Sequence, residues 1–250
     1  MKHILAAGAM ALACATASPL AALDLGQMSD AERTAFRAEV RAYLLENPEV
    51  IMEAVAVLEA RQANAQTQTD RDMISVNSAA LFQDENSWVG GNLQGDITLV
   101  EFVDYRCGYC RKAHDEVAQL VQSDGNIRFI LKEFPILGDQ SVISSRFAIA
   151  TRMVAGDAAY KSVHDALIAF KGTVGPESLA RLAADLGLDA APILAKMDSD
   201  EVTAVIRDTH QLAARLQING TPTFVLGEQM LRGYVPLDGM KKLVAEIRAQ

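Results

Sequence analysis

The sequence predicts an α/β domain running strand, helix, strand, long helical insertion, hairpin and helix, preceded by a helical arm. Three observations carry this expectation. A β-branched and aromatic run at Ile97–Tyr105 leads straight into Cys107-Gly108-Tyr109-Cys110 and a helix. The stretch from Ser141 to Leu216 is helical in pattern throughout. Two further helical stripes lie upstream, between Ser29 and Leu58, with Asn47-Pro48 between them.

Residues 1–22 have the layout of a secretory signal. Lys2 precedes an apolar run from Ile4 to Ala13, and small residues fill the stretch to Ala22. Cleavage after Ala17 or after Ala22 fits equally well. An exported, periplasmic protein is the consequence. Its loss of Lys2 takes the formal net charge of −9 to −10. Such a charge offers no basic field to nucleic acid or to an anionic membrane. Processing also removes Cys14, so Cys107 and Cys110 alone remain of the three cysteines. One closely spaced pair is no disulfide scaffold. Half of the residues are apolar and 22% are charged, which suits a globular protein with a core.

The arm is expected over residues 23–72. Ser29 with Glu32 three places on forms a capping box, and Phe36, Val40, Tyr43 and Leu44 then share one helical face. After Pro48, Val50 and Val57 recur at seven residues, as do Ile51 and Leu58. From Ala60 to Asp72 apolar residues almost vanish, which fits a polar helix extension or a linker. A linker helix follows over residues 73–87, from about Ile74 to Phe82. Two helices of this size cannot bury their own stripe, so they pack on copies of the chain, making a homo-oligomer, or on the main domain.

The catalytic domain is expected over residues 88–250, starting near Trp88. Ile97–Tyr105 is a buried central strand, and the helix after Cys110 carries Val117, Leu120 and Val121. Ile127–Lys132 is a second strand. The helical insertion, about 139–216, breaks at Gly156, Gly172–Pro176, Gly187 and Asp198. Thr223–Leu226 and Met230–Arg232 form a hairpin about Gly227-Glu228-Gln229, and Leu237–Arg248 closes the chain as a helix. This order is that of a thioredoxin fold carrying a helical subdomain.

The chemistry centres on the cysteines. C-x-x-C has two ordinary meanings, half of a zinc site or a redox pair. His114, four residues after Cys110, is the one histidine placed to add a ligand; otherwise it is a partly exposed helix residue. The redox meaning gains from position. Cys107 sits at a strand-to-helix junction, where free N–H groups and the helix dipole favour a thiolate. It is the expected attacking sulfur, and Cys110, a turn inside the helix, the resolving one. Gly108 leaves the approach open and Tyr109 adds bulk without charge. Glu101 stands in the apolar run Leu99–Val103, where an acid is expensive unless neutral or paired. Facing inward it would exchange a proton with Cys110; strict alternation allows it to face outward instead. Thr221-Pro222 opens a strand after Asn219-Gly220, which fits either a trans proline in a loop or, beside a C-x-x-C strand, a cis one.

Three segments together resemble the DsbA superfamily and, within it, the ScsC-like branch of periplasmic thiol–disulfide proteins. They are Val100–Arg111, Lys132–Gly138 and Gly220–Phe224. The resemblance covers about residue 85 to the C-terminus, and the N-terminal helices are similar to the oligomerising segment of some ScsC proteins. It implies Cys107 as nucleophile, Cys110 as resolving thiol and Glu101 as the buried acid. It also implies a substrate-binding edge of Thr221 and cis Pro222 beside the Gly108-Tyr109 dipeptide. Gly-Tyr replaces the Pro-His of the strongest oxidases and resembles the DsbC-type isomerases. An isomerase or reductase of misfolded exported proteins is therefore favoured over a dithiol oxidase, and both over a copper- or zinc-binding protein using Cys107, Cys110 and His114. A membrane reductase or oxidase is the implied redox partner. No cofactor is implied.

Overall fold

A computed structural model describes residues 26–249. The expected signal peptide, with Lys2, Cys14 and both cleavage points, lies outside the described residues. The chain divides into two compact units, one ending at Glu59 and the other starting at Ala60.

In the first unit, α1 (Asp30–Glu46) begins with the anticipated capping box. Ser29 Oγ accepts from the Glu32 N–H at 3.3 Å, and the Glu32 carboxylate accepts from the Ser29 N–H at 2.8 Å. Asn47 ends this helix, and α2 (Glu49–Val76) starts just after Pro48. Nothing in α1 is buried: Phe36, Val40 and Tyr43 stay exposed, as do Ile51, Val55 and Leu58 of α2.

The polar stretch 60–72 is helix, not linker. Gln66 donates to Asp70 and Gln68 to Asp72, each one turn on, which supports the helix where apolar contacts are absent. The arm boundary expected at residue 72 therefore falls inside a continuous helix. Its last turns belong to the second unit, where Asp70 and Ile74 are buried and Arg232 holds Asp70 through two bonds of 2.7 and 2.8 Å. The short helix expected from about Ile74 divides at Asn77, leaving α3 (Ser78–Phe82).

The second unit is built on a five-stranded sheet of order β1-β3-β2-β4-β5. Its strands are β1 (Trp88–Gly91), β2 (Ile97–Val103), β3 (Ile127–Glu133), β4 (Thr223–Leu226) and β5 (Gln229–Arg232). β2 and β3 run parallel, joined by α4 (Gly108–Asp124); the other pairs are antiparallel. β1 went unseen in the sequence because half of its residues are glycines, a poor strand signal. Gly90 has a packing reason: a side chain there would run into the Trp88 ring. β2 stops at Val103, two residues early, because Asp104 begins the turn into the cysteines.

Both faces of the central strand are covered. Ile97, Leu99 and Val103 pack towards α4, α9 (Leu237–Arg248) and the insertion; Val100 and Phe102 pack towards Ile74, Leu81 of α3 and Leu212. The insertion comprises α5 (Asp139–Ala169), α6 (Pro176–Asp185), α7 (Ala190–Lys196) and α8 (Asp200–Arg215). Gly156, with φ +86°, kinks α5 at the point the sequence marked as a break. Among the described residues, no helix is long and apolar enough to cross a membrane.

Candidate active site

β2 delivers the chain to the first turn of α4, and Asp104 shapes the delivery. Its buried carboxylate accepts from the N–H groups of Arg106 (2.7 Å), Ile136 (2.8 Å) and Leu137 (3.1 Å) and from Ser141 Oγ (2.8 Å). One side chain thus holds the turn before Cys107, the loop after β3 and the start of α5. The sequence showed Asp104 only as part of a motif, because all its partners but the Arg106 N–H lie more than thirty residues away. Asp104→Ala strands the buried Ser141 hydroxyl and frees three backbone N–H groups that hold the turn and loop, and is expected to lower stability by about 3 kcal/mol; a denaturant midpoint checks it.

Cys107 is the N-cap of α4, with extended backbone (φ −74°, ψ 119°). Its Sγ accepts from the Cys110 N–H at 3.4 Å and lies 3.1 Å from the Thr221 carbonyl oxygen, to which the thiol donates. The Thr221–Pro222 bond is cis, so that open alternative resolves to cis. The two cysteines are unbridged. The Cys110 thiol as hydrogen-bond donor is the largest influence bringing Cys107 down to about 5. The Thr221 side chain and the N–H groups of Cys110 and Tyr109 add to it, against the opposing cost of burial. Cys110 moves the opposite way. Its bond to Cys107, then burial, then the nearby Glu101 carboxylate, hold it far above an ordinary thiol. One sulfur is poised as an anion while its partner keeps its proton.

Glu101 faces inward. It shares the side of β2 that carries Leu99 and Val103, beneath α4, and is 3% exposed. Burial first, and the Cys107 thiolate second, push its carboxyl up to about 8. Gly108 and Tyr109 lie at the surface: a side chain at Gly108 would meet nothing within 4 Å, and Tyr109 is 63% exposed. Tyr109 stacks on Tyr234 at 6.3 Å, and Lys112 Nζ sits 4.1 Å over the same Tyr234 ring. Of the seven expected site residues, Gly108, Tyr109 and the Thr221 carbonyl stand around Cys107 at the start of α4, Cys110 and Pro222 are buried behind them, and Glu101 lies below.

A second polar cluster went unread in the sequence. Glu133, at the end of β3, accepts from Tyr105 Oη at 2.7 Å and Tyr160 Oη at 2.6 Å; burial raises it to about 7 despite those bonds. Tyr105 Oη also meets His164 Nδ1 at 3.1 Å. Burial drives His164 down to about 3. His114 turns to this cluster, its Nε2 lying 3.2 Å from Asp165 Oδ1. A cavity of about 480 Å³ adjoins it, lined by Glu101, His114, Trp88, Phe129, Lys161 and His164 among others. In the sequence Glu133 stood only within the segment Lys132–Gly138 that carries the family resemblance.

Comparison with known proteins agrees with this geometry. Residues 98–245, more than half of the chain, match the family model of the DSBA-like thioredoxin domain, and residues 32–65 match that of the copper resistance protein ScsC N-terminal domain. A thioredoxin-like oxidoreductase from Silicibacter pomeroyi is similar at 38% identity and TM-score 0.64, over 69% of this chain and 98% of that one. The thiol-disulfide exchange protein alpha-DsbA2 from Wolbachia pipientis is 26% identical at TM-score 0.68, over 73% and 98%. Proteus mirabilis ScsC in a compact conformation is 26% identical at TM-score 0.65, over 86% and 98%. Among curated proteins, the Na(+)/H(+) antiporter NhaA 3 of Salinispora tropica is 26% identical over 156 residues, 62% of this chain and 24% of that protein. The chain thus spans about a quarter of the length of the curated relatives it matches. With the domain model matched across the cysteine pair and the cis proline, the chain belongs to the DSBA-like thioredoxin domain family and is ScsC-like within it.

Proposed function

We propose that this DsbA-type thiol–disulfide oxidoreductase works in the periplasm on exported proteins, chiefly as a disulfide isomerase and reductase. The N-cap placement of Cys107, whose thiol is brought down to about 5, carries the thiol–disulfide chemistry common to both directions, and the exposed apolar stripe of the arm favours isomerisation. The Cys107 thiolate attacks a wrong client disulfide; one client sulfur leaves as thiolate and the other joins Cys107 in a mixed disulfide. In isomerisation a different client thiolate then attacks the mixed disulfide and frees Cys107, with no net electron transfer. In reduction Cys110 gives up its proton and attacks Cys107 Sγ. The client leaves as a dithiol, and Cys107–Cys110 becomes the disulfide.

Glu101 is the acceptor we assign to the Cys110 proton. Part of what raises Glu101 is the Cys107 thiolate. In the mixed disulfide that charge is gone, so Glu101 ionises more readily at the step where Cys110 needs a base. Thr221 and Pro222 form the edge on which the client backbone lies, with Gly108 and Tyr109 flanking the sulfur.

A second reading, dithiol oxidase, has one observation in its favour. A Cys107 at about 5 stabilises the open form, which makes the bridged form oxidising. The two readings need different membrane partners, a reductase or an oxidase. Refolding of a scrambled-disulfide client, with the equilibrium constant against glutathione, separates them. The isomerase reading expects recovery of native client by the pre-reduced protein without added oxidant; recovery only from a fully reduced client, by the bridged protein, would establish the oxidase.

The exposed apolar stripe of Phe36, Val40 and Tyr43 supports self-association through the arm, which raises the local thiol concentration around one client. Deletion of residues 24–59 is expected to give a monomer that reduces insulin normally and isomerises several-fold more slowly. Cutting at residue 72 would also remove Asp70 from Arg232 and confound the result. Light scattering and paired assays read the outcome; equal isomerisation by the truncated protein would assign the arm another purpose.

A further inference from the structure

We infer that His114, His164 and Asp165 form a binding site for a divalent transition-metal ion of the zinc class, separate from the cysteine pair. One ligand atom from each lies within 4.8 Å of the others. His164 and Asp165 are neighbours on α5, and His114 comes from α4, so an ion would tie the two helices together. Tetrahedral zinc with bonds near 2.0–2.1 Å sets its ligands about 3.3 Å apart. His114 Nε2 and Asp165 Oδ1 already stand at 3.2 Å, so this edge needs no rearrangement.

The orientation of His164 is the independent observation. A hydroxyl has one proton, and Tyr105 gives its own to Glu133 Oε1. Nδ1 of His164 is therefore the donor to Tyr105 Oη, and the lone pair falls on Nε2. Carboxylate, tyrosine and imidazole make a chain that fixes the ring and strengthens its free nitrogen as a ligand, the support that histidine ligands ordinarily have. Glu133 Oε2, at the end of this chain, is buried without a hydrogen-bond partner, and a cation bound nearby would favour its ionised form. His164 is 2% exposed, yet it borders the cavity that Glu101 also lines, which leaves a fourth position for water or a small ligand. Two imidazoles and one carboxylate suit zinc, copper(II) or nickel and not calcium or magnesium.

One group competes. Lys161 Nζ bonds both Asp165 oxygens at 2.6 Å, so an ion must share the carboxylate, taking Oδ1 while Lys161 keeps Oδ2. This makes a sharp test. Zn²⁺ is titrated by competition with a chromophoric chelator into the full-length Cys107→Ser/Cys110→Ser protein, which has no thiolate ligands. The expected result is one ion per chain, at least tenfold weaker in His114→Ala and Asp165→Asn and tighter in Lys161→Ala. His114 is partly exposed, and a circular dichroism spectrum matching the parent shows that its variant folds. Absence of a stoichiometric ion in the double-serine protein, or an affinity indifferent to His114 and Lys161, would overturn the assignment. Neither result bears on the thiol chemistry, which the double-serine background removes.

Discussion

Cys107→Ser is expected to abolish disulfide exchange altogether, while Cys110→Ser should leave attack intact and accumulate mixed disulfides with clients. The asymmetry follows from geometry. Cys107 Sγ receives an N–H of the first turn of α4 and, though only 6% exposed, adjoins Gly108, which faces open space, whereas Cys110 is 1% exposed and held protonated. Insulin reduction measures turnover, and non-reducing electrophoresis of lysate-exposed protein shows trapped species. Trapping by Cys107→Ser instead would exchange the two roles. The rate of Cys107 alkylation should rise with pH around 5 and be flat by pH 7, because the thiolate is fully formed there. The same ionisation affects stability. The folded dithiol form has released a proton that the unfolded chain holds up to the ordinary thiol range, so this group's contribution grows from pH 5 to about 8.5.

Glu101→Gln is expected to act in two directions at once, slowing the resolution of mixed disulfides while stabilising the fold. Cys110 needs a base to ionise, and loss of a positioned one costs about a hundredfold. On stability, the folded protein keeps the Glu101 proton up to about 8, whereas the unfolded chain releases it near the usual carboxylate range. Between those limits the unfolded state binds fewer protons, so Glu101 makes the protein less stable as pH rises and the loss levels off above 8. Glutamine carries no such penalty. The variant should gain on the wild type by at most about 4 kcal/mol between pH 5 and pH 8. The gain should be smaller in the bridged form, where the Cys107 charge is absent. Urea denaturation of reduced protein at both pH values, with stopped-flow decay of a mixed disulfide, tests both halves. Unchanged resolution kinetics would remove Glu101 from proton transfer while leaving its burial cost intact.

Periodicity and punctuation made most of the backbone legible. Capping at Ser29, breaks at Gly156, Gly172–Pro176 and Gly187, and the closing helix Leu237–Arg248 are local signals, and the elements observe them. The reach of α2 was ambiguous for a physical reason. A stretch such as 60–72, whose only apolar side chains are three alanines, gives no burial pattern, and its helix is held by i to i+4 bonds and the anchoring of Asp70 on a strand 162 residues away. β1 was hidden because glycines carry no strand preference, and its place comes from pairing with β3.

By itself the sequence determined the nature of the chemistry: two thiols at a strand-to-helix junction, an acid in an apolar strand, and a proline opening another. Adjacent residues on a strand or one helical turn have their relative positions set by backbone geometry alone. Only the tertiary structure decided which distant groups meet. It settled the inward face of Glu101, put the Thr221 carbonyl at 3.1 Å from Cys107 Sγ, and joined His114 to Asp165, Asp104 to Ser141 and Glu133 to Tyr160. Contacts between side chains far apart in sequence depend on how the sheet and insertion pack. No local pattern of residues encodes that packing.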